Sequence, residues 1–206
     1  MNLKEYVTER LHINNSTKTV RVRPQTKYEL INLIKDELEH QGPDADLNHI
    51  DTSKITDMYD LFHYINKQIP VGNIKIDKWD VSNVTDMDTM FADCEDFNAN
   101  LSSWDVSKVD SMQSMFTNCS AFNSDLSNWD TGLVSSMSFM FQGCSNFESD
   151  LSGWDTHNVI SMYRMFTNAS KFKSDLSNWN VSKVDKRDDM FRGCPKMVED
   201  LQPKFN

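Results

Sequence analysis

The side chains best equipped for chemistry recur at one interval. Cys94, Cys119, Cys144 and Cys194 share a single place in a 25-residue repeat, and Ala169 fills the copy without a thiol. Alanine as the stand-in says that the place wants a small buried group, so packed free thiols are expected. A disulfide between neighbouring copies is sterically allowed if copies stack at about 5 Å. Zinc is not expected, because one cysteine per copy lacks the close pairs that wrap a tetrahedral ion. Two acidic columns share the period: Asp125, Asp150, Asp175 and Asp200, and, five residues on, Asp80, Asp105, Asp130 and Asp155. Stacked like charges repel by about 1 kcal/mol per pair even in a water-like dielectric, so something must offset them. One answer is that each carboxylate accepts backbone N–H groups of its own turn; the other is a cation or a basic partner. Asn180 and Asn100 stand in these columns as uncharged acceptors, which favours the first. Asp125, Asp150 and Asp175 are kept as the alternative binding column.

Asp44-x-Asp46-x-Asn48 opens like a calcium loop, but His49 stands at the glycine place and Ile55 at the glutamate place. Of the five histidines only His157 lies in a regular repeat, no Ser or Cys column is in register with a base, and no Gly-rich phosphate loop occurs. The expectation is therefore a non-enzyme with no catalytic, cofactor-binding or metal-binding residue.

What positions these columns is the repeat itself. Trp79, Trp104, Trp129, Trp154 and Trp179 are all the tryptophans of the chain and keep the same interval. With them run Met-Phe pairs (Met90-Phe91 to Met190-Phe191), valines (Val84 to Val184) and leucines (Leu101 to Leu201). A fixed period of this length marks a stacked repeat architecture. Asp46 to Phe62 matches as a first coil, joined to the next by four extra residues within His63 to Gly72, and Asp200-Leu201 starts a last half-coil. The apolar spacing Val134-Met137-Met140-Phe141-Cys144 predicts one face of a short helix, and Asp125 to Trp129 a short strand stacked on its copies. The expected fold class is α/β, a leucine-rich-repeat-like solenoid over 46–206 of about six coils plus the half-coil, with one parallel strand and one helix per coil. If the chain turns a corner between Leu101 and Trp104, both face the core; otherwise the tryptophans form an exposed strip.

Residues 1–45 lie outside the repeat and are expected to cap the first coil, with Thr19–Arg23 as an edge strand. Thr26 and Glu29 form a capping box, Leu30, Ile31, Ile34 and Leu38 an apolar face, and Gly42-Pro43 a stop.

The unit Phe-Asn-x-Asp-Leu-Ser-x-Trp-Asp-Val/Thr-Ser-x-Val-x-x-Met-x-x-Met-Phe-x-x-Cys, clearest from Phe97 to Cys119, resembles the repeat of the BspA-like leucine-rich-repeat surface proteins of bacteria. The resemblance covers roughly residues 46–206. It implies a right-handed α/β solenoid, a surface location and a role in adhesion or protein recognition.

A formal charge of −10 repels nucleic-acid backbones and anionic lipid, and no apolar run is long enough to span a bilayer. Neither nucleic acid nor membrane insertion is expected. Glu5 and Glu9 interrupt the first residues where a signal peptide would be apolar, so the sequence alone points to the cytoplasm. In a repeat array the varying positions are free for function. On helical spacing Ile160 is one turn from Tyr163 and Arg164, with Phe139 on the adjacent coil, and these four have the composition of an interface core. The expectation is a non-catalytic protein-binding module using Phe139, Ile160, Tyr163 and Arg164; self-association through the same patch, and a surface adhesin for host protein or glycan, are the alternatives.

Overall fold

The structure, a computed structural model, describes residues 21–205. Most of them lie in coils stacked along one axis. Parallel bridges step from coil to coil through Asp57, Asp86, Ser111, Ser136, Ser161 and Lys186, and Asp46 pairs with Lys75. Asp46–Lys75 and Asp57–Asp86 are offset by 29 residues and the later bridges by 25. The difference is the insertion after the first coil. A short helix runs into it, and among the described residues the α-helices are α1 (Lys27–Gln41) and α2 (Leu61–Asn66).

The expected strand and helix in each coil are not there. Among the described residues the helices are α1, α2 and one 3₁₀ turn at Glu199–Leu201, and the bridges are isolated rather than joined into a sheet. The α/β leucine-rich-repeat solenoid is thereby overturned. The physical reason lies in where the amides go. In the fourth coil Trp129, Val134, Met140, Gln142, Cys144 and Phe147 each donate to the carbonyl three residues back. Between them, Met137, Phe139, Phe141 and Gly143 donate to Ser161, Tyr163, Met165 and Thr167 of the next coil at 2.8–2.9 Å. An α-helix would spend those amides on its own carbonyls four residues back. Left-handed backbone at Phe139 (φ 60°) and Gly143 (φ 76°) breaks the helical run twice more. Apolar residues every third position are equally the signature of consecutive turns, each returning one side chain to the core.

The expected strand segment is a turn as well, closed by Trp129 N–H on the Leu126 carbonyl. The chain therefore does turn between the leucine and the tryptophan, and all five tryptophans are buried. Each indole N–H donates to the carbonyl at the leucine place one coil earlier, as Trp129 does to Leu101 at 3.1 Å and Trp154 to Leu126 at 2.9 Å. Phenylalanine fills the centre in two parallel stacks. Phe91, Phe116, Phe141, Phe166 and Phe191 follow one another at centroid spacings of 5.6–5.7 Å, and Phe97, Phe122, Phe147 and Phe172 at 5.7–5.8 Å. Within a coil the two columns sit 4.0–4.2 Å apart at their centroids. Offset stacking of this kind adds to the stabilisation from area burial.

At the first coil the core is covered by α1. Thr26 accepts the Glu29 amide, the Glu29 carboxylate accepts the Gln25 amide, and Gly42 closes the helix at φ 85° with its N–H on Leu38. Leu30, Ile34 and Leu38 are buried. Of the expected edge strand Thr19–Arg23, Thr19 and Val20 lie outside the described residues; Val22 makes one bridge to Ile50, and Arg23 pairs with Asp51 at 2.6 Å instead of guarding a free edge. His49 and Glu37 join the first coil to α1 at 3.1 Å. At the far end Arg187 stands where earlier coils carry methionine, and its guanidinium lies 4.6 Å from the Phe205 ring centroid.

Two outcomes are expected. Phe141→Ala, which interrupts one stack at mid-array and removes the ring packed on Phe147, should cost about 3–5 kcal/mol, read as a lower urea midpoint. The second concerns pH. The hydrogen bond to Glu37 raises His49 above its usual 6.5, and that to His49 lowers Glu37 below its usual 4.5. The His49 contribution is complete below pH 6.5 and fades as pH rises through the raised value; the Glu37 contribution is complete above 4.5 and fades as pH falls through the lowered one. Glu37→Gln should therefore destabilise the protein most near pH 5.5 and much less at pH 8.5; an equal loss at both would mean that the ion pair does not hold the cap.

Candidate functional site

The four variable residues picked out by the sequence lie on the fourth and fifth coils. Phe139 and Arg164 are equivalent residues of these two coils, and both are held in the left-handed region, at φ 60° and 54°. The Phe139 amide donates to the Tyr163 carbonyl at 2.8 Å, which fixes the two residues side by side. The Phe139 and Tyr163 rings meet edge to face at 5.1 Å and 85°, and the Arg164 guanidinium lies 5.0 Å from the Tyr163 centroid. Asp189 of the sixth coil holds Arg164 Nε at 3.3 Å. The three side chains are half-buried, so the patch is neither covered by the fold nor loosely displayed.

Ile160 stands apart from that cluster, because no helix brings it round to Tyr163. It precedes the bridge at Ser161, donates its amide to the Ser135 carbonyl at 2.9 Å, and exposes 49% of its surface. Two residues before Ser135, Leu133 exposes 56%. Sequence reasoning passed over Leu133, although its column reads Asn83, Lys108, Leu133, Asn158 and Lys183 and contains no other apolar residue. The patch thus has an aromatic–arginine part and an aliphatic part on the same two coils.

The left-handed geometry is shared by whole columns. The Phe139 column reads Asp60, Thr89, Ser114, Phe139, Arg164 and Asp189, all at φ 54–60°. The column four residues on reads Asp93, Asn118, Gly143, Asn168 and Gly193, residue types that tolerate this region. The threonine, serine, phenylalanine and arginine of the Phe139 column have no such tolerance, and Phe139 and Arg164 are the bulkiest of them.

The acidic columns are turn residues. Asp125, Asp150 and Asp175 accept the amides of Ser127, Ser152 and Ser177 at 3.0 Å, and Asp105, Asp130 and Asp155 accept those of Ser107, Gly132 and His157 at 3.0–3.1 Å. These bonds hold Asp125, Asp150 and Asp175 below the usual carboxylate range, with Ser127 and Ser152 acting first through the backbone and Ser177 through its hydroxyl. Asn100 and Asn180 make the same turn bond uncharged. Among the described residues no cluster of three or more His, Cys, Asp or Glu could hold a metal ion.

The cysteines are free and buried. Cys119 and Cys144 donate to the carbonyls of Phe91 and Phe116 at 2.9 Å. Burial pushes Cys94 up to about 12 and Cys194 to about 11, and raises Cys119 and Cys144 as well. Thiols held in the neutral form are packing groups, not nucleophiles.

Stacked 25-residue coils of one recurring design, with a half-buried patch on two of them, define a repeat protein. A family model described as "Mycoplasma protein of unknown function, DUF285" matches residues 34–133 and 121–206, and the chain belongs to that family. No curated protein matches the chain, and no solved structure matches it.

Asp150→Asn should leave the melting temperature unchanged, since the acceptor is kept, while Asp150→Ala should lower it by about 2–4 °C through loss of the turn bond. Thermal unfolding of the two variants, with and without calcium, checks this; a calcium-dependent rise in the wild type alone would restore the cation reading.

Proposed function

We propose that this chain is a non-catalytic protein-binding module whose contact surface is centred on Phe139, Tyr163 and Arg164, with Ile160 and Leu133 at its aliphatic edge. The observation that carries this reading is that two bulky residues, on adjacent coils and in one column, sit in left-handed backbone that only Gly, Asn or Asp adopts cheaply. Strain of about 1 kcal/mol each, at positions where other coils use the smaller Asp, Ser or Thr, suggests that the side chains are kept for what they touch outside the chain. Aromatic rings and an arginine, partly packed and ringed by polar groups, also match the composition of protein–protein hot spots.

The likeness of the repeat to BspA-like bacterial surface proteins supports an adhesive use of such a contact. Protein is favoured over glycan as the target, since the tryptophan column that could have stacked on sugars is core and the acidic column is engaged in its own turns.

The test is affinity capture from lysate and surface fractions with wild type and with a Phe139→Asp, Tyr163→Ala double variant of unchanged tryptophan emission. A partner held by the first and lost by the second supports the reading; the same partner held equally by both contradicts it. A stability measurement goes with it. Arg164→Asn should melt no lower than the wild type, because asparagine accepts the left-handed backbone, yet should weaken capture; a clear drop in melting temperature would mean that Arg164 serves the fold.

A further inference from the structure

Exposed large apolar side chains of the described residues gather in two places besides Val198: the patch above, and a cleft at the other end of the array where Tyr28, Tyr59 and Tyr64 converge. Three of the five tyrosines of the chain meet there. The cleft encloses about 440 Å³ between one flank of α1, with Lys27, Tyr28, Ile31 and Lys35, and the irregular first coil, with Tyr59, Asp60 and Tyr64. Its volume lies in the range of small-molecule sites.

The two lysines are not equivalent. Each ammonium lies over a tyrosine, Lys27 at 5.2 Å from the Tyr59 centroid and Lys35 at 4.7 Å from that of Tyr64. Lys27 is neutralised by Asp57 at 3.1 Å. Lys35 is held by the neutral side-chain carbonyl of Gln68 at 2.9 Å and has no carboxylate within ion-pair distance among the described residues. It is a half-buried, positioned cation with donors to spare, in a protein whose net charge of −10 otherwise supplies carboxylates in excess. Beside it on α1 lie the amide of Asn32, the Ile31 side chain and the Tyr28 ring, which is 74% exposed.

We propose that this cleft binds a small organic anion, its acid group on Lys35 Nζ and its flat or aliphatic body against Tyr28 and Ile31. The ammonium supplies the charge-assisted bond, and the ring and the isoleucine supply the apolar wall that an inorganic ion could not use. The site shares no residue with the protein-binding patch and stands independently of it.

The test is a titration of the full chain with phenylacetate, and with neutral phenylacetamide as its control, followed by the NMR signals of the Ile31 methyls and of the Tyr28 and Tyr64 rings. Phenylacetate should shift these signals and bind at least tenfold more tightly than the amide. Lys35→Met should erase that difference, and Lys35→Arg should keep most of it; both lie outside the core, and unchanged tryptophan emission certifies their fold. Absence of shifts into the tens of millimolar, equal affinity for acid and amide, or discrimination that survives in Lys35→Met each overturns the proposal. Shifts confined to Phe139 and Tyr163 overturn it too, while leaving the protein-binding reading to its own experiment.

Discussion

The rest of the molecule depends on one repeated bond, the amide of a core phenylalanine donating to a methionine carbonyl one coil later. Phe91 to Met115, Phe116 to Met140, Phe141 to Met165 and Phe166 to Met190 are made at 2.9–3.0 Å. Each fixes the register of two coils and brings the next phenylalanine under the last. Register in turn places every other column: the indole N–H on the leucine carbonyl, the thiol on the phenylalanine carbonyl, and the left-handed residues in one line along the outside. A one-residue slip would take every ring and indole out of line with its copy in the next coil, so the ladder and the ring stacks enforce each other.

Much of this was legible in the residues. A 25-residue period shared by Trp, Met-Phe, Val and Leu left no doubt about stacked copies, and the insertion after the first coil was readable from the mismatch at His63–Gly72. Asn100 and Asn180 favoured hydrogen-bond acceptors over cation ligands in the acidic columns, with Asp125, Asp150 and Asp175 still open as a binding column. The local backbone was misread for a specific reason. Val134, Met137, Met140 and Cys144 satisfy both a helical face and a succession of three-residue turns, and apolar periodicity does not report where an amide finds its acceptor. The Asp93–Gly193 column, all Asp, Asn or Gly, carried the one signal that could have broken the tie, since those residues in a fixed place of every copy announce left-handed backbone rather than helix. Ile160 was placed beside Tyr163 only through the helix that is absent, and Leu133 was overlooked because its column is otherwise polar.

The same frame explains why both proposed sites lie where the repeat is imperfect. Core columns are bound by packing on both sides, so they vary little between coils: Cys or Ala, Met, Phe, Trp. The left-handed outer column is at most half-buried but restricted in backbone, and in the other coils it holds small polar residues, Asp, Ser or Thr. Phe139 and Arg164 depart from that rule next to each other. At the first coil the regular design is broken in a different way, by four added residues and by α1, and the break opens a cleft that the regular coils have no room for.

Amide hydrogen exchange, read residue by residue, tests the ladder directly. The account predicts strong protection at Phe91, Phe116, Phe141 and Phe166, whose amides donate to the following coil, and fast exchange at Phe191, which has no following coil to receive it. Protection of Phe191 equal to that of Phe141, or uniform protection running through Val134–Cys144 as in a continuous helix, would contradict it.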